Sequence, residues 1–141
     1  GLNNAGSGRW AGVNVLTYES TARPGVHILG DSVSASPQPK GGHVANAQAK
    51  VCADAMTRML RRDALDPSPV TSSSVYSPIS ATTASWLSAV YKYVPPAAGA
   101  PIGTMGTMAA VEGPIEAGSV TPENFSKMQS WFTSLMADTF A

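Results

Sequence analysis

Between Val44 and Leu60 the apolar residues Val44, Ala47, Val51, Cys52, Ala55, Met56, Met59 and Leu60 recur with the spacing of one helix face. Breakers bound this run on both sides: Pro39-Lys-Gly-Gly42 before it, and Asp66-Pro-Ser-Pro69 after it. Arg58, Arg61 and Arg62 crowd its last turn, where positive charge favours the carbonyl end of the helix. A long helix here divides the chain into an N-terminal and a C-terminal stretch, each with its own pattern.

Before the helix, Val13–Tyr18 is expected as a short strand and Arg23-Pro24-Gly25 as a turn. Val26–Leu29 reads as a short apolar strand of the kind buried in a parallel sheet. After the helix, residues 63–74 hold two prolines and four serines and read as a linker. Three β-like runs come next, at 75–79, 85–94 and 103–111, with Pro95–Pro101 as a hairpin tip. Thr121-Pro122-Glu123 is a helix start: threonine as N-cap, proline at the first helical position, an acid in the first turn. The stripe Phe125, Met128, Phe132, Leu135 and Met136 carries that helix towards the last residues. The fold class expected is therefore α+β: a strand-loop-helix unit, then a small antiparallel sheet with a long C-terminal helix.

Nine basic residues balance nine acidic ones, and charged residues make up only 13 % of 141. Without a basic stripe to neutralise phosphates, nucleic acid is not an expected partner. No apolar run approaches the ~20 residues of a membrane span. The absence of an initiator methionine and of a signal peptide, with the opening Gly-Leu-Asn-Asn-Ala-Gly-Ser-Gly, leads us to expect a piece of a longer protein.

Most candidate chemistries fail on residue pattern. Gly6-Ser-Gly8-Arg-Trp-Ala-Gly12 resembles a dinucleotide loop, but its third glycine falls one place late and no strand precedes it. Cys52 lies mid-helix on the apolar face, a setting for a buried thiol rather than a nucleophile. His27, His43 and Cys52 are too dispersed for a zinc set, and no Gly-x-Ser-x-Gly elbow occurs. What survives is the run Gly25–Lys50. A glycine at a strand end (Gly30) lets a ligand approach the backbone, and Asp31 can accept hydrogen bonds from sugar-type hydroxyls. Lys40 and the glycine-flanked N-terminus of the helix that follows, reached through the loop Lys40–His43, add positive potential and free N–H groups. A flavin, with a ribityl chain and an electron-rich pyrimidine, satisfies all of these. The alternative is a strand-turn-helix in which Asp31 caps the loop.

At these residues the chain resembles the flavin-binding subunit of flavocytochrome c sulfide dehydrogenase. The matching stretches are Thr17–Thr21, Pro24–Asp31, Pro39–Gly42 and Ala45–Ala53, then in order Val75–Ser77, Ala89–Tyr91 and the region Trp131–Phe140. The resemblance implies a C-terminal fragment of a larger flavoprotein related to the glutathione reductase fold. Residues 1–62 would be the last part of its FAD-binding domain, 63–74 a linker, and 75–141 its C-terminal interface domain. It implies FAD as cofactor in the full-length parent, with Gly30 and Asp31 at the ribityl chain and Lys40, Gly42 and His43 at the ring. It further implies sulfur-compound oxidation, a cytochrome c subunit as partner, and the periplasm. The family's redox-active cysteine has Val75 in its place, and His43 stands where the family more often carries an aromatic residue. Two other readings stay open: an NAD(P)H- or disulfide-linked reductase of the same fold, and a dimerisation or docking module with no chemistry of its own. Severed from a parent sheet, the Val26–Leu29 edge would invite homo-oligomers.

Overall fold

The computed structural model describes residues 1–35 and 37–140. It is a mixed α+β arrangement of small antiparallel sheets and two long helices. The chain begins with a hairpin of β1 (Asn3–Ala5) and β2 (Trp10–Ala11). Gly6, Ser7 and Gly8 all take positive φ in its turn. A second small ladder pairs β3 (Val13–Asn14) with β4 (Glu19–Ser20). The strand expected over Val13–Tyr18 is thus cut short, because residues 15–18 turn. The N–H groups of Thr17 and Tyr18 both donate to Asn14 O, and Tyr18 takes a φ of 56°.

The Val26–Leu29 run is not a strand of a parallel sheet. Only His27 bridges, antiparallel to Glu19, with Ser20 N–H donating to Val26 O and Ile28 N–H to Tyr18 O. The reason is local: the turn through Arg23–Gly25 folds the segment straight back, whereas a parallel neighbour needs a crossover of a dozen or more residues. Glu19 secures that turn by accepting the Gly25 N–H at 2.6 Å.

The first helix, α1 (Gly42–Arg61), forms where the apolar spacing placed it, burying Val44, Gln48, Cys52 and Ala55. It ends at Arg62 in the left-handed conformation, with Arg58 and Arg61 in the last turn. The next sheet consists of β5 (Val70–Pro78), β6 (Ala84–Val94), β7 (Thr107–Ala110) and β8 (Ile115–Glu116), with β5 and β7 flanking β6 and β8 pairing β6 near its start. Here β5 begins five residues before the expected Val75, inside the stretch expected as linker. Serine and threonine make a strand there because their short hydroxyls find partners: Ser74 Oγ and Ser88 Oγ lie 3.0 Å apart across β5 and β6. The third strand is shorter than expected, and β8 has no counterpart in the sequence pattern. The last helix, α2 (Pro122–Phe140), opens as its sequence dictates, the Thr121 hydroxyl accepting the Asn124 N–H at 3.1 Å.

Two apolar clusters hold these pieces. Val13, Tyr18, Val33, Ala35 and Cys52 pack together under α1. Ala89, Tyr91 and Met108 of the sheet pack with Val15, so the N-terminal segment contributes to both. Among the described residues, no helix is long and apolar enough to cross a membrane.

Candidate functional site

The loop between His27 and α1 is shaped by one glycine. Gly30 adopts a φ of 74°, a left-handed conformation that L side chains resist, and opens a short 3-10 turn through Ser32. Its N–H donates to Gln48 Oε1 of α1 at 2.7 Å, and a Cβ placed on it would sit 3.5 Å from that of Ala45. The loop is thereby drawn onto the first turns of the helix. Asp31, next in the chain, is exposed, and its carboxylate has no hydrogen-bond donor among the described residues. Leu29, not Asp31, occupies the cap position of the turn. The loop-cap alternative for Asp31 therefore has no bond behind it.

Gln48 belongs to a chain of buried amides. Its Nε2 donates to Gln38 Oε1 at 3.1 Å, the Tyr18 hydroxyl reaches the same oxygen at 3.5 Å, and Gln38 Nε2 donates to Thr71 Oγ1 of β5. Gln48 and Thr71 are each 2 % exposed, so every partner must be supplied from within the protein. The network ties loop, helix and sheet together. Gln48→Leu leaves the Gly30 N–H without its acceptor and Gln38 without one donor; we expect a loss of about 1–3 kcal/mol, measured by urea denaturation.

Lys40 is held rather than free. Its Nζ donates to Asp31 O at 2.6 Å and to Val33 O at 2.9 Å, and lies 3.9 Å from the centre of the Trp10 ring. The ammonium thus closes the loop on itself, using an aromatic face from the first hairpin. Beside it a cleft of about 290 Å³ is lined by Trp10, Gly30, Ala35, Gln38, Lys40 and Gln48, among others. The helix N-terminus nearby is uncapped: Gly41 precedes Gly42 in extended backbone and offers no side chain. First-turn N–H groups there are left to solvent or to a ligand.

His43 faces elsewhere. Its Nδ1 accepts the Ser74 N–H of β5 at 2.8 Å, and its ring meets Trp131 of α2 edge-on at 5.8 Å. Burial, then the nearby Lys50 ammonium, lowers its pKa below the ordinary 6.5, against an opposing pull from Asp138. The structure therefore brings Gly30, Asp31 and Lys40 together beside the start of α1 at Gly42, and sets His43 apart from them.

The remaining chemistry-bearing groups are quiet. Cys52 Sγ lies 3.6 Å from His27 Nδ1, a proximity the sequence separation hid. That nitrogen also lies 2.9 Å from Thr17 O, a carbonyl that can only accept, so Nδ1 carries the proton and cannot serve as base to the thiol. Burial pushes the Cys52 pKa up, and the residue is 5 % exposed. No cluster of three or more histidine, cysteine or acidic side chains suited to a metal occurs among the described residues. Sequence reasoning missed Trp10, Gln38 and Gln48. The two glutamines lie within the run Gly25–Lys50, but only their burial reveals them.

No family model matches this chain.

Proposed function

We propose that the chain is the C-terminal part of an FAD-dependent oxidoreductase related to the flavin-binding subunit of flavocytochrome c sulfide dehydrogenase. Such a protein passes electrons from a reduced sulfur compound to a cytochrome c in the periplasm. The observation that carries this reading is the exposed Asp31 carboxylate, without a hydrogen-bond donor among the described residues and presented by a left-handed glycine beside an uncapped helix start.

The residues fit one part of FAD. Asp31 would accept hydrogen bonds from ribityl hydroxyls, and the first turn of α1 would direct N–H groups at the pyrimidine edge. Bound FAD would supply the two-electron chemistry that no side chain here offers. The residues do not fit the pyrophosphate: the glycines at 6 and 8 form a hairpin turn, and they lead into the next strand, not a helix. That contact falls to the rest of the parent protein. Lys40 and His43 are committed to other partners and are removed from the proposed ring contacts. Val75, 47 % exposed on β5, stands where a redox cysteine would be, so this chain supplies no disulfide for the electrons.

The proposal is tested by titrating the purified chain into FMN and following flavin fluorescence. We expect saturable but weak binding, with no flavin surviving gel filtration. No saturable quenching up to millimolar protein would overturn it. A groove of about 630 Å³ on the sheet, walled by Tyr76, Trp86, Val90, Val111 and Ile115, favours a second reading, a docking or dimerisation module. Under that reading FMN is ignored, and sedimentation shows self-association that Val90→Arg abolishes.

A further inference from the structure

We propose that His43 is a pH-sensitive latch: neutral, it clamps the first turn of α1 onto β5, and protonated, it lets that turn go. The device concerns how helix and sheet are joined, and its test needs no flavin.

The clamp is one bond with a strict requirement. Ser74 N–H points at His43 Nδ1, 2.8 Å away, and an amide N–H can only donate. The imidazole must therefore present a bare Nδ1 and carry its single hydrogen on Nε2. A proton from solvent taken up at Nδ1 sets two donors head to head. No other acceptor for the Ser74 N–H is seen among the described residues, and the bond is part of how α1 is joined to the edge of β5.

Three features disfavour the cation, the first being burial of the ring itself. His43 is the second residue of α1, where the helix dipole opposes positive charge. Lys50, on the same helix, adds repulsion. Asp138 of α2 attracts, but its carboxylate is already bound to Lys50 Nζ at 2.6 Å. Trp131 meets the ring edge-on, with Tyr76 against Trp131 at 5.3 Å. The folded protein thus holds His43 neutral more firmly than the unfolded chain does. The stability it contributes is complete above about pH 6.5 and is lost as pH falls from there through the lowered folded value.

The test is an NMR titration of the intact chain from pH 8 to 4.5. His43 is expected to show the Nε2–H tautomer at pH 8 and to titrate below 6.5. Across that titration Ser74 amide exchange, corrected for its intrinsic pH dependence, should accelerate about ten-fold or more, the equivalent of ~1.4 kcal/mol. In His43→Phe, which keeps an edge for Trp131 but no acceptor, the Ser74 amide should exchange fast at every pH. An Nδ1–H tautomer at pH 8, or a corrected Ser74 exchange rate indifferent to the His43 titration, overturns the proposal. Both readouts come from the unaltered protein, so they decide the matter even if the variant fails to fold.

Discussion

Tyr18→Ala is expected to destabilise the protein by about 3–5 kcal/mol, the cost of deleting a fully buried aromatic side chain. Tyr18 is 0 % exposed and sits among Val13, Val33, Ala35 and Cys52, so nothing in the solvent can fill the space it leaves. Its backbone does as much as its ring. A φ of 56° lets Tyr18 N–H reach Asn14 O at 2.6 Å while its own carbonyl receives Ile28 N–H at 2.9 Å. Tyr18→Phe keeps ring and backbone and loses only the 3.5 Å contact to Gln38, so it should cost far less, about 0.5–1.5 kcal/mol. Urea denaturation of the two variants beside the parent chain separates packing from hydrogen bonding. Burial also pushes the Tyr18 phenol up to about 12. Stability resting on the neutral phenol is complete below pH 10 and is lost as pH rises from 10 to about 12, a loss that Tyr18→Phe should remove.

The sequence was most legible where a single period or cap decided the outcome. The apolar face of α1 and the Thr121 cap of α2 are local patterns, and both helices form where those patterns place them. It was misleading where an apolar run was too short to declare its partner. Val26–Leu29 has the composition of a buried parallel strand, yet the Arg23–Gly25 turn returns it antiparallel to its own predecessor. The serines at 72–74 read as linker because hydroxyl residues favour loops in isolation; their strand emerges only once Ser88 and His43 supply partners. The site divided in the same way. Gly30 and Asp31 were visible from neighbouring positions alone. The fates of Lys40 and His43 were not, because they depend on Trp10, thirty residues earlier, and on Ser74, thirty-one residues later.

Everything functional rests on Asp31 being a ligand group rather than a loop cap. Its carboxylate is exposed and makes no internal bond among the described residues, so Asp31→Ala should change stability by no more than about 0.5 kcal/mol. Removing a charge-assisted hydrogen bond to a ribityl hydroxyl, by contrast, costs about 1.5–3 kcal/mol, on the order of a 10- to 150-fold loss of flavin affinity. The decisive measurement is an FMN titration of the chain and of Asp31→Ala, monitored by amide chemical shifts, with inorganic phosphate and ribitol phosphate as controls. Saturable FMN shifts confined to Gly30–Ser32 and the first turn of α1 are expected, absent with phosphate and lost in the variant, while the melting temperature stays put. Shifts elsewhere, or equal FMN affinity with and without the carboxylate, would remove Asp31 from any flavin site.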